Sequence, residues 1–449
     1  MARLFGTDGI RGKANQYPMD GHLAFSVGQA VADLFGGSGR RSPIVIGKDP
    51  RISSDMLESA LAAGIVSMGK DAYLAGIFPT PGVALLASHR GADAGIVISA
   101  SHNPYQDNGI KIFSGRGYKL SDQEEEALEK LVFEESLSQR AVPPKEMGMI
   151  QPMKDARAEY ISFLKKTLPS DISIKGLKIV MDTANGATCE VAPKVFAELG
   201  AQVDVIHNSP DGININDHCG SQHTHDLQKR VLEIGAHIGL AFDGDGDRLV
   251  AIDEKGDEIS GDQILFVCAH MYKDCGALTN NTLVSTVMSN IGLTLACRRE
   301  GMKHFVSQVG DRNVSHDMRR LGVVVGGENS GHLIFADYHT TGDGILAAIQ
   351  LVVAMIRKDR PLSELAATIE MYPQRLVNVE VGSKPEISSL VSVTKMIKKV
   401  ERDLGDQGRV LVRYSGTENL CRVMVEGPSD QLAETYSNQI AHEIKAALS

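Results

Sequence analysis

The sequence predicts an α/β protein in which three related α/β domains and a C-terminal α+β domain surround a central cleft. Two observations lead to this fold class. The chain has 449 residues, more than one hydrophobic core organises, so several domains of roughly 100–150 residues are expected. A strand–helix–strand pattern also begins near Ser42 and recurs near Gly176 and Asn281. Such a repeat indicates related domains rather than one long sheet.

The first copy of the pattern, SPIVIGKDPRISSDMLESALAAGIVSMGKDAYLAG, shows its parts clearly. A short apolar run is followed by a polar loop, an amphipathic segment and a second apolar run. The amphipathic segment places Met56, Leu57, Ala60, Leu61 and Ile65 on one helical face. The switch from strand-like to helix-like spacing predicts a βαβ unit. GLKIVMDTANGATCEVAPKVFAELGAQVDVIH and NTLVSTVMSNIGLTLACRREGMKHFVSQVG repeat it.

The domain boundaries follow from composition and local pattern. Residues 136–156 read as a linker because Pro, Gly and charged residues recur there, and ARAEYISFLKKTL then predicts a helix that opens the second domain. RLVAIDEKGDEIS predicts a strand, an acidic turn and another strand, and Met371-Tyr372-Pro373 marks the last boundary. The predicted domains are residues 1–152, 153–254, 255–371 and 372–449.

Composition and charge exclude several classes of protein. The chain is 43% hydrophobic and 23% charged, and its net charge is −10. This composition is typical of soluble globular proteins, and the negative charge disfavours nucleic acid or an anionic membrane as partner. No apolar run approaches the ~18–20 residues of a membrane span. The six cysteines form no CxxC pair, so we expect reduced thiols and a cytoplasmic protein.

Three apolar runs end abruptly in unusual polar residues. They are AGIVIS followed by ASHNP, IGLAF followed by DGDGDR, and GVVVG followed by GENSGH. Open α/β sheets bind ligands beyond the carboxyl ends of their strands, where loops carry the chemistry. Three such loops at equivalent places predict one shared cleft.

The first of these loops carries Ser101 at the end of a predicted buried strand, with His102 and Pro104 after it. An ordinary turn is the alternative, because Asn, Asp, Gly and Pro are common turn residues and Asn108-Gly109 is a hairpin signal. The functional interpretation is a serine held rigidly in the cleft by a loop that proline stiffens.

The second loop predicts a metal site. Asp243, Asp245 and Asp247 alternate with glycines, and three carboxylates so close together suit a hard divalent cation. A solvated acidic turn is the alternative. An EF-hand is excluded because Arg248 stands where that loop needs glycine and the flanks read as strands. The haloacid-dehalogenase motif DxDx[TV] is disfavoured because Asp247 occupies its Thr/Val position.

Two further loops predict contacts to a phosphosugar. Glu328, Asn329, Ser330 and His332 lie in a glycine-flanked loop whose acceptors and donors suit sugar hydroxyls, although such loops are often simple turns. In RYSGTENLCR, a small-residue loop lies between two arginines that suit a phosphate; a capped turn between strands is the alternative. The candidate phosphate ligands are Arg413, Ser415, Gly416, Thr417 and Arg422.

Together these parts predict phosphoryl transfer on a phosphosugar. A hydroxyl nucleophile, a metal and a distant phosphate anchor are the groups that this reaction needs. The chain has neither GxxxxGK[ST] nor a kinase glycine-rich loop. The phosphate is therefore expected to come from the enzyme or from its substrate.

SASHNP, DGDGDR, GENSGH and SGTEN, in this order and spacing, resemble the α-D-phosphohexomutase superfamily along essentially the whole chain. FGTDGIRG at the start and the Asn of GENSGH are similar to the superfamily branch that acts on glucosamine phosphates. VGDRNV and SGTENL depart from that branch, which usually has Tyr and Pro where this chain has Asn. Both departures fall outside the catalytic motifs and affect only the expected loop geometry.

The resemblance implies specific roles for the candidate residues. Ser101 would carry a phosphoryl group as phosphoserine, and one Mg²⁺ per subunit would be held by the three aspartates and a phosphoserine oxygen. Arg11, Lys111 and Arg248 would lie near the transferred phosphate. Lys111 would act in acid–base catalysis with His332 in support, and His102 completes the catalytic candidates.

The implied reaction interconverts glucosamine 6-phosphate and glucosamine 1-phosphate through a 1,6-bisphosphate, as a step toward UDP-N-acetylglucosamine and cell wall precursors. Glucosamine or glucose 1,6-bisphosphate would be an activator, and the superfamily suggests a homodimer. The first alternative is the same chemistry on neutral hexose phosphates. A silent phosphosugar-binding protein is disfavoured because Ser101 and all three aspartates are retained. A metal-dependent phosphomonoesterase is disfavoured because no His cluster accompanies DGDGD.

Overall fold

The computed structural model describes residues 4–6, 8–36, 42–134, 136–415 and 419–448. It contains four β-sheets with helices packed against them. Contacts between residues divide the chain into two compact units, residues 1–287 with 305–366 and residues 288–304 with 367–449.

The first sheet has six strands in the order β1-β5-β4-β2-β3-β6. Strands β2, β3, β4 and β6 run parallel, and β5 is antiparallel to both β4 and β1. Helices α1 and α2 and the inner face of the sheet enclose an aliphatic core. The elements are β1 (Ile10–Lys13), α1 (Gly21–Phe35), β2 (Ile44–Lys48), α2 (Ser54–Ser67), β3 (Ala72–Ile77), α3 (Thr80–His89), β4 (Ala94–Ile98), β5 (Asp107–Ser114), α4 (Asp122–Val132) and β6 (Ile150–Pro152).

Two local predictions in this part of the chain are wrong. Residues 136–156 are not only a linker, because β6 lies within them and pairs with β3. Asn108-Gly109 is not a hairpin turn, because both residues lie within β5 and pair with β1. A side chain at Gly109 would place its Cβ 2.5 Å from the carbonyl oxygen of Ser99. The glycine therefore allows close approach of two chain segments rather than a turn.

The second sheet has the order β11-β10-β9-β7-β8. Strands β7, β8 and β9 are parallel, with β8 at the edge, and β10 returns antiparallel to β9. Strands β9 and β10 lie on either side of DGDGDR, so the prediction that strands flank this motif is confirmed. The elements are α5 (Ala156–Lys166), β7 (Lys178–Asp182), α6 (Val191–Glu198), β8 (Gln202–Ile206), α7 (His225–Ile234), β9 (Ile238–Phe242), β10 (Leu249–Ile252) and β11 (Glu258–Ile259).

The third sheet has the order β13-β12-β14-β15. Strands β14 and β15 form a hairpin whose tip carries GENSGH. The long helix α11 is buried from its first residue to Met355. The elements are α8 (Gly261–Asp274), β12 (Thr282–Thr286), α9 (Ile291–Arg299), β13 (Lys303–Ser307), α10 (Asp311–Leu321), β14 (Val325–Gly327), β15 (Leu333–Phe335), α11 (Gly344–Lys358) and α12 (Leu362–Ala366).

The fourth sheet is antiparallel, with the order β16-β18-β17, and two amphipathic helices cover one of its faces. Its elements are β16 (Gln374–Glu380), α13 (Val391–Leu404), β17 (Arg409–Tyr414), β18 (Leu420–Glu426) and α14 (Asp430–Leu448). None of the helices in the described part of the chain combines the length and apolar character needed to cross a membrane. The six cysteines are free thiols.

Candidate active site

Ser101 follows the fully buried strand β4 and lies in the loop of residues 99–106, here called the serine loop. The residue is only 1% exposed, and its backbone adopts a left-handed conformation with φ 54°. A non-glycine residue in this region costs about 1–3 kcal/mol, so neighbouring contacts must hold it there. The Ser101 Oγ donates a hydrogen bond to Asp243 Oδ2 at 2.5 Å. The structure therefore joins the serine to the first aspartate of DGDGD.

The loop of residues 243–248, here called the aspartate loop, follows β9 and turns tightly beside the serine loop. Gly244 allows this approach, because a Cβ there would lie 2.6 Å from the carbonyl oxygen of Ser101. Asp243, Asp245 and Asp247 are all buried, and one carboxylate oxygen from each lies within 4.8 Å of the others. Burial, together with the charges of the other two aspartates, raises the pKa of Asp243 well above its usual value. Three buried carboxylates whose charge is not fully neutralised are costly.

The free atoms of this cluster fit a metal ion. Asp245 Oδ1 and Asp247 Oδ1 are buried and accept no hydrogen bond from the residues that the structure describes. The Oδ2 atom of Asp245 is held by the Thr80 hydroxyl at 2.5 Å and by Lys111 Nζ at 2.8 Å. Asp245 and Asp247 thus each keep one oxygen available as a ligand, whereas both oxygens of Asp243 accept hydrogen bonds, from the Ser101 hydroxyl and from the Arg248 N–H. An all-oxygen donor set suits a hard divalent cation.

Lys111 lies among the acidic residues rather than on the open side of the site. Its side chain is 2% exposed, and Nζ lies 3.2 Å from Asp8 and 3.4 Å from Asp247. Burial alone lowers the pKa of Lys111, but the charges of Asp245, Asp8 and Asp247 outweigh it and hold the pKa well above its usual value. The ammonium group therefore neutralises part of the acidic cluster.

A cavity of about 540 Å³ opens beside the cluster. Its wall includes Arg11, Asp247, Arg248, Glu328 and His332. The Nε atoms of both arginines are buried without a hydrogen-bond acceptor in the described part of the chain. Such donors beside a cavity suit a phosphate group. The site thus brings cations to the cavity next to the carboxylate cluster.

Ser101 and His102 are the two catalytic candidates of the serine loop, and neither of them lines the cavity. Ser101 is not in the cavity wall, and its hydroxyl points at Asp243. His102 follows it with Nδ1 3.3 Å from the Ser101 Oγ. Burial and the charges of Arg248 and Arg11 lower the pKa of His102 to about 4. The imidazole is therefore neutral near pH 7.

The GENSGH hairpin contributes one wall of the cavity. Glu328 Oε1 accepts a hydrogen bond from the Gly310 N–H at 3.0 Å, and Asn329 is exposed. Ser330 Oγ is buried and has no hydrogen-bond partner among the described residues. His332 Nε2 accepts from the Gly342 N–H at 3.1 Å, and its Nδ1 lies 3.6 Å from Asp247 Oδ2. The hairpin therefore links the carboxylate cluster to the polar groups expected to contact a sugar.

Arg413 and Arg422 belong to the fourth sheet and are described within their own compact unit. They lie directly opposite each other on β17 and β18. Their neighbours Tyr414 and Cys421 pack into the core, so the two arginines point to the other face. Two guanidinium groups on one face of the sheet suit a phosphate. Ser415 is buried, whereas Gly416 and Thr417 lie outside the described residues.

Several side chains that complete the site were not predicted from the sequence. Asp8 is held at 2.6 Å by Arg11 and at 2.5 Å by Lys119, and Lys119 also contacts Asp311 at 2.5 Å. Asp8, Lys119 and Asp311 all line the cavity. Thr80, which fixes Asp245, was also missed. Asp8 lies in the FGTDGIRG motif, which offered a signal, but an isolated lysine or threonine offers none.

All four domains of one protein family match the chain in order. The matches are to the phosphoglucomutase/phosphomannomutase alpha/beta/alpha domain I at residues 2–139, domain II at residues 158–256, domain III at residues 260–372 and the C-terminal domain at residues 376–443. The four-domain fold class is thereby confirmed. The individual boundaries predicted from the sequence stay predictions.

Two proteins of known name are similar in sequence to this chain over its full length. Phosphoglucosamine mutase of Syntrophobacter fumaroxidans is 61% identical and that of Syntrophus aciditrophicus 52% identical, each covering 100% of both chains. In fold, the chain resembles a phosphoglucomutase/phosphomannomutase family protein from Burkholderia thailandensis, with TM-score 0.82 and 24% identity over 99% of this chain and 97% of that one. It also resembles Aspergillus fumigatus N-acetylphosphoglucosamine mutase, with TM-score 0.72 and 16% identity over 99% and 96%.

The order of the motifs and the contact between Ser101 and the aspartate loop indicate phosphoryl transfer on a sugar phosphate. The full-length similarities indicate the same reaction. An enzyme with this domain set is a mutase, an isomerase that moves a phosphoryl group within a sugar phosphate. The chain belongs to the phosphoglucomutase/phosphomannomutase family and, within it, to the phosphoglucosamine mutases.

Proposed function

We propose that the enzyme interconverts glucosamine 6-phosphate and glucosamine 1-phosphate, with Ser101 as the phosphoryl carrier. The observation that carries this proposal is the buried, left-handed Ser101, whose hydroxyl lies 2.5 Å from a carboxylate of the aspartate cluster. The names of the full-length relatives support glucosamine phosphate as the substrate.

The reaction has two symmetric halves. The phosphoryl group on Ser101 passes to the free hydroxyl of the sugar phosphate, so that the bond from phosphorus to Ser101 Oγ breaks as the bond to the sugar oxygen forms. The 1,6-bisphosphate then turns around, and its other phosphoryl group returns to Ser101. Because either phosphate must occupy the distal anchor, a charge-based site at Arg413 and Arg422 suits the reaction better than a shape-selective pocket.

Side chains around the cavity supply the remaining functions. Arg11 and Arg248 offer N–H donors to the transferred group. We assign acid–base work to Lys111, whose ammonium form begins as the proton donor, with His332 in support. Asp243, Asp245 and Asp247 would hold Mg²⁺ with a phosphoserine oxygen, and the ion would neutralise charge on the transferred phosphoryl group. Magnesium also appears with GlcNAc-6P in the described complex of the Aspergillus fumigatus enzyme.

A direct assay tests the substrate assignment. The purified enzyme is given glucosamine 6-phosphate, glucose 6-phosphate or mannose 6-phosphate, with Mg²⁺ and a trace of glucose 1,6-bisphosphate as activator. We expect the highest kcat/KM on glucosamine 6-phosphate. A higher kcat/KM on either neutral sugar would assign the enzyme to the alternative reaction.

Arg413→Lys is expected to lower kcat/KM by a similar factor for every phosphosugar substrate. Replacing a bidentate guanidinium–phosphate contact by lysine costs on the order of 1.5–3 kcal/mol, so kcat/KM should fall roughly tenfold to a hundredfold. Arg422→Lys should give a similar or smaller loss. Arg375→Lys is the matched control, because Arg375 lies on β16 of the same sheet in an exposed ion pair with Asp430. An equal loss in the control, or none in Arg413→Lys, would contradict the assignment.

Asn329→Ala is expected to change the ratio of glucosamine phosphate to glucose phosphate turnover, because Asn329 lies on the exposed tip of the cavity hairpin. Steady-state kinetics on both sugars measures that ratio. If Asn329→Ala slowed both sugars equally while Arg413→Lys changed the preference, the two loops would have been assigned the wrong way round.

We also propose that the enzyme is a cytoplasmic homodimer, as the resemblance implies. Light scattering during gel filtration measures the mass directly, and we expect twice the chain mass of 48.3 kDa. A single-chain mass at micromolar concentration would contradict the dimer.

A further inference from the structure

A buried arginine lies beneath the serine loop and has no role in the function proposed above. The Arg51 side chain is 0% exposed. Its Nη2 donates to the carbonyl oxygens of Ser101 at 3.0 Å and Asn103 at 2.8 Å. Its Nη1 donates to the carbonyl oxygen of Asp107 at 2.9 Å and also to that of Pro104. One guanidinium thus holds four carbonyls of the same segment.

The Asp49 carboxylate accepts hydrogen bonds from both Arg51 and Ser99, and it thereby connects Arg51 to the backbone of the serine loop. Asp49 is fully buried, and its Oδ2 accepts from Arg51 Nε at 2.8 Å and from the Ser99 hydroxyl at 2.6 Å. Ser99 Oγ in turn accepts from the Ser101 N–H at 2.9 Å. The Arg51 charge is therefore paired, and both the N–H and the C=O of Ser101 belong to one hydrogen-bonded unit.

The side-chain amide of a residue in the second predicted domain donates to two of the same carbonyl oxygens. Asn216 Nδ2 donates to the carbonyl oxygens of Ser101 at 2.9 Å and Asn103 at 3.0 Å. Ser101 adopts φ 54°, and a conformation that is unfavourable in isolation persists only where its surroundings impose it. Among the residues that the structure describes, Arg51 and Asn216 donate to its carbonyl oxygen.

We propose that Arg51 is a positioning residue for phosphoryl transfer. Its guanidinium holds Ser101 in the left-handed conformation that brings Oγ to Asp243. The inference rests on the proposed function, because it requires Ser101 to be the phosphoryl carrier. A lysine cannot replace the arginine, since an ammonium group donates from a single point and lacks the planar fork that reaches four carbonyls.

Arg51→Lys tests the inference. The variant and the wild type are incubated with glucose 1,6-bisphosphate, and intact mass spectrometry follows the rate at which Ser101 gains a phosphoryl group. We expect that rate and kcat to fall about a hundredfold, because misplacing a reacting group by about 1 Å has an effect of this size. KM for the sugar phosphate should stay within about threefold, because Arg51 does not line the cavity. Thermal melting shows that the variant is folded.

Lys70→Met is the matched control for lost stability. Lys70 forms a largely buried ion pair with Asp93 at 2.9 Å. Asp93 precedes β4, whereas the serine loop follows it, so this pair lies at the other end of the same strand. We expect Lys70→Met to melt at a lower temperature and to keep its phosphorylation rate.

Asn216→Gly is the second variant, in case Arg51→Lys does not fold. Glycine tolerates the φ of 57° at this position, so only the amide donor is lost, and we expect about a tenfold slower phosphorylation. Wild-type rates in a folded Arg51→Lys, or in Asn216→Gly if Arg51→Lys is unfolded, would overturn the inference alone. Absence of phosphorylation in the wild type would overturn the proposed function and the inference with it.

Discussion

Ser101→Ala should lower kcat at least about a thousandfold while leaving the fold intact. At 1.36 kcal/mol per tenfold, this corresponds to about 4 kcal/mol of activation free energy. The loss is large because the variant has no oxygen to carry the phosphoryl group between the two halves of the reaction. Turnover of glucosamine 6-phosphate by the purified variant measures it, with circular dichroism to show that the variant is folded.

Thr80→Val distinguishes the carrier from a second hydroxyl that contacts the acidic cluster. Thr80 Oγ1 donates to Asp245 at 2.5 Å and is buried, so it holds a carboxylate and does not carry phosphate. We expect Thr80→Val to retain phosphorylation at Ser101 and Ser101→Ala to lose it. Retention of more than a few per cent of wild-type turnover by a folded Ser101→Ala variant would exclude the serine as carrier.

Asp245→Asn should lower Mg²⁺-dependent turnover at least about a hundredfold, or about 2.7 kcal/mol. The change removes a ligand charge at a position whose Oδ1 is buried without a partner in the described residues. EDTA should likewise abolish wild-type turnover, and added Mg²⁺ should restore it. Binding of Mn²⁺, followed by electron paramagnetic resonance, provides a readout that does not depend on activity and should weaken in parallel.

Asp204→Asn is the control for the metal prediction. Asp204 lies on β8 of the same sheet and pairs with Arg230 at 2.7 Å on the surface. We expect this variant to bind Mn²⁺ and to turn over as the wild type does. Full activity of metal-stripped wild-type protein would show instead that the three aspartates have a structural role.

The sequence predicts the parts of the site that depend on local pattern. Strand β4 is fully buried, as its apolar run indicates, and Ser101 follows it. Alternation with glycine brings Asp243, Asp245 and Asp247 together because the spacing places all three on one tight turn. These features need only residues within a few positions of each other.

Contacts between distant segments could not be predicted in this way. Lys119 meets Asp311 across 192 positions, and Thr80 meets Asp245 across 165. Spacing and hydrophobic period carry no information on such pairs, which depend on how whole domains pack. Strand β6 was missed for a different reason. It has three residues and ends in proline, so it forms only because β3 offers an unpaired edge.

Intact mass spectrometry with peptide mapping, before and after incubation with glucose 1,6-bisphosphate and Mg²⁺, tests the central claim most directly. A phosphoryl group adds about 80 Da. We predict a gain of one such unit, mapped to Ser101, and its loss when the protein is then given excess glucosamine 6-phosphate. An unchanged mass under both conditions, or a phosphoryl group mapped to another residue, would contradict Ser101 as the carrier.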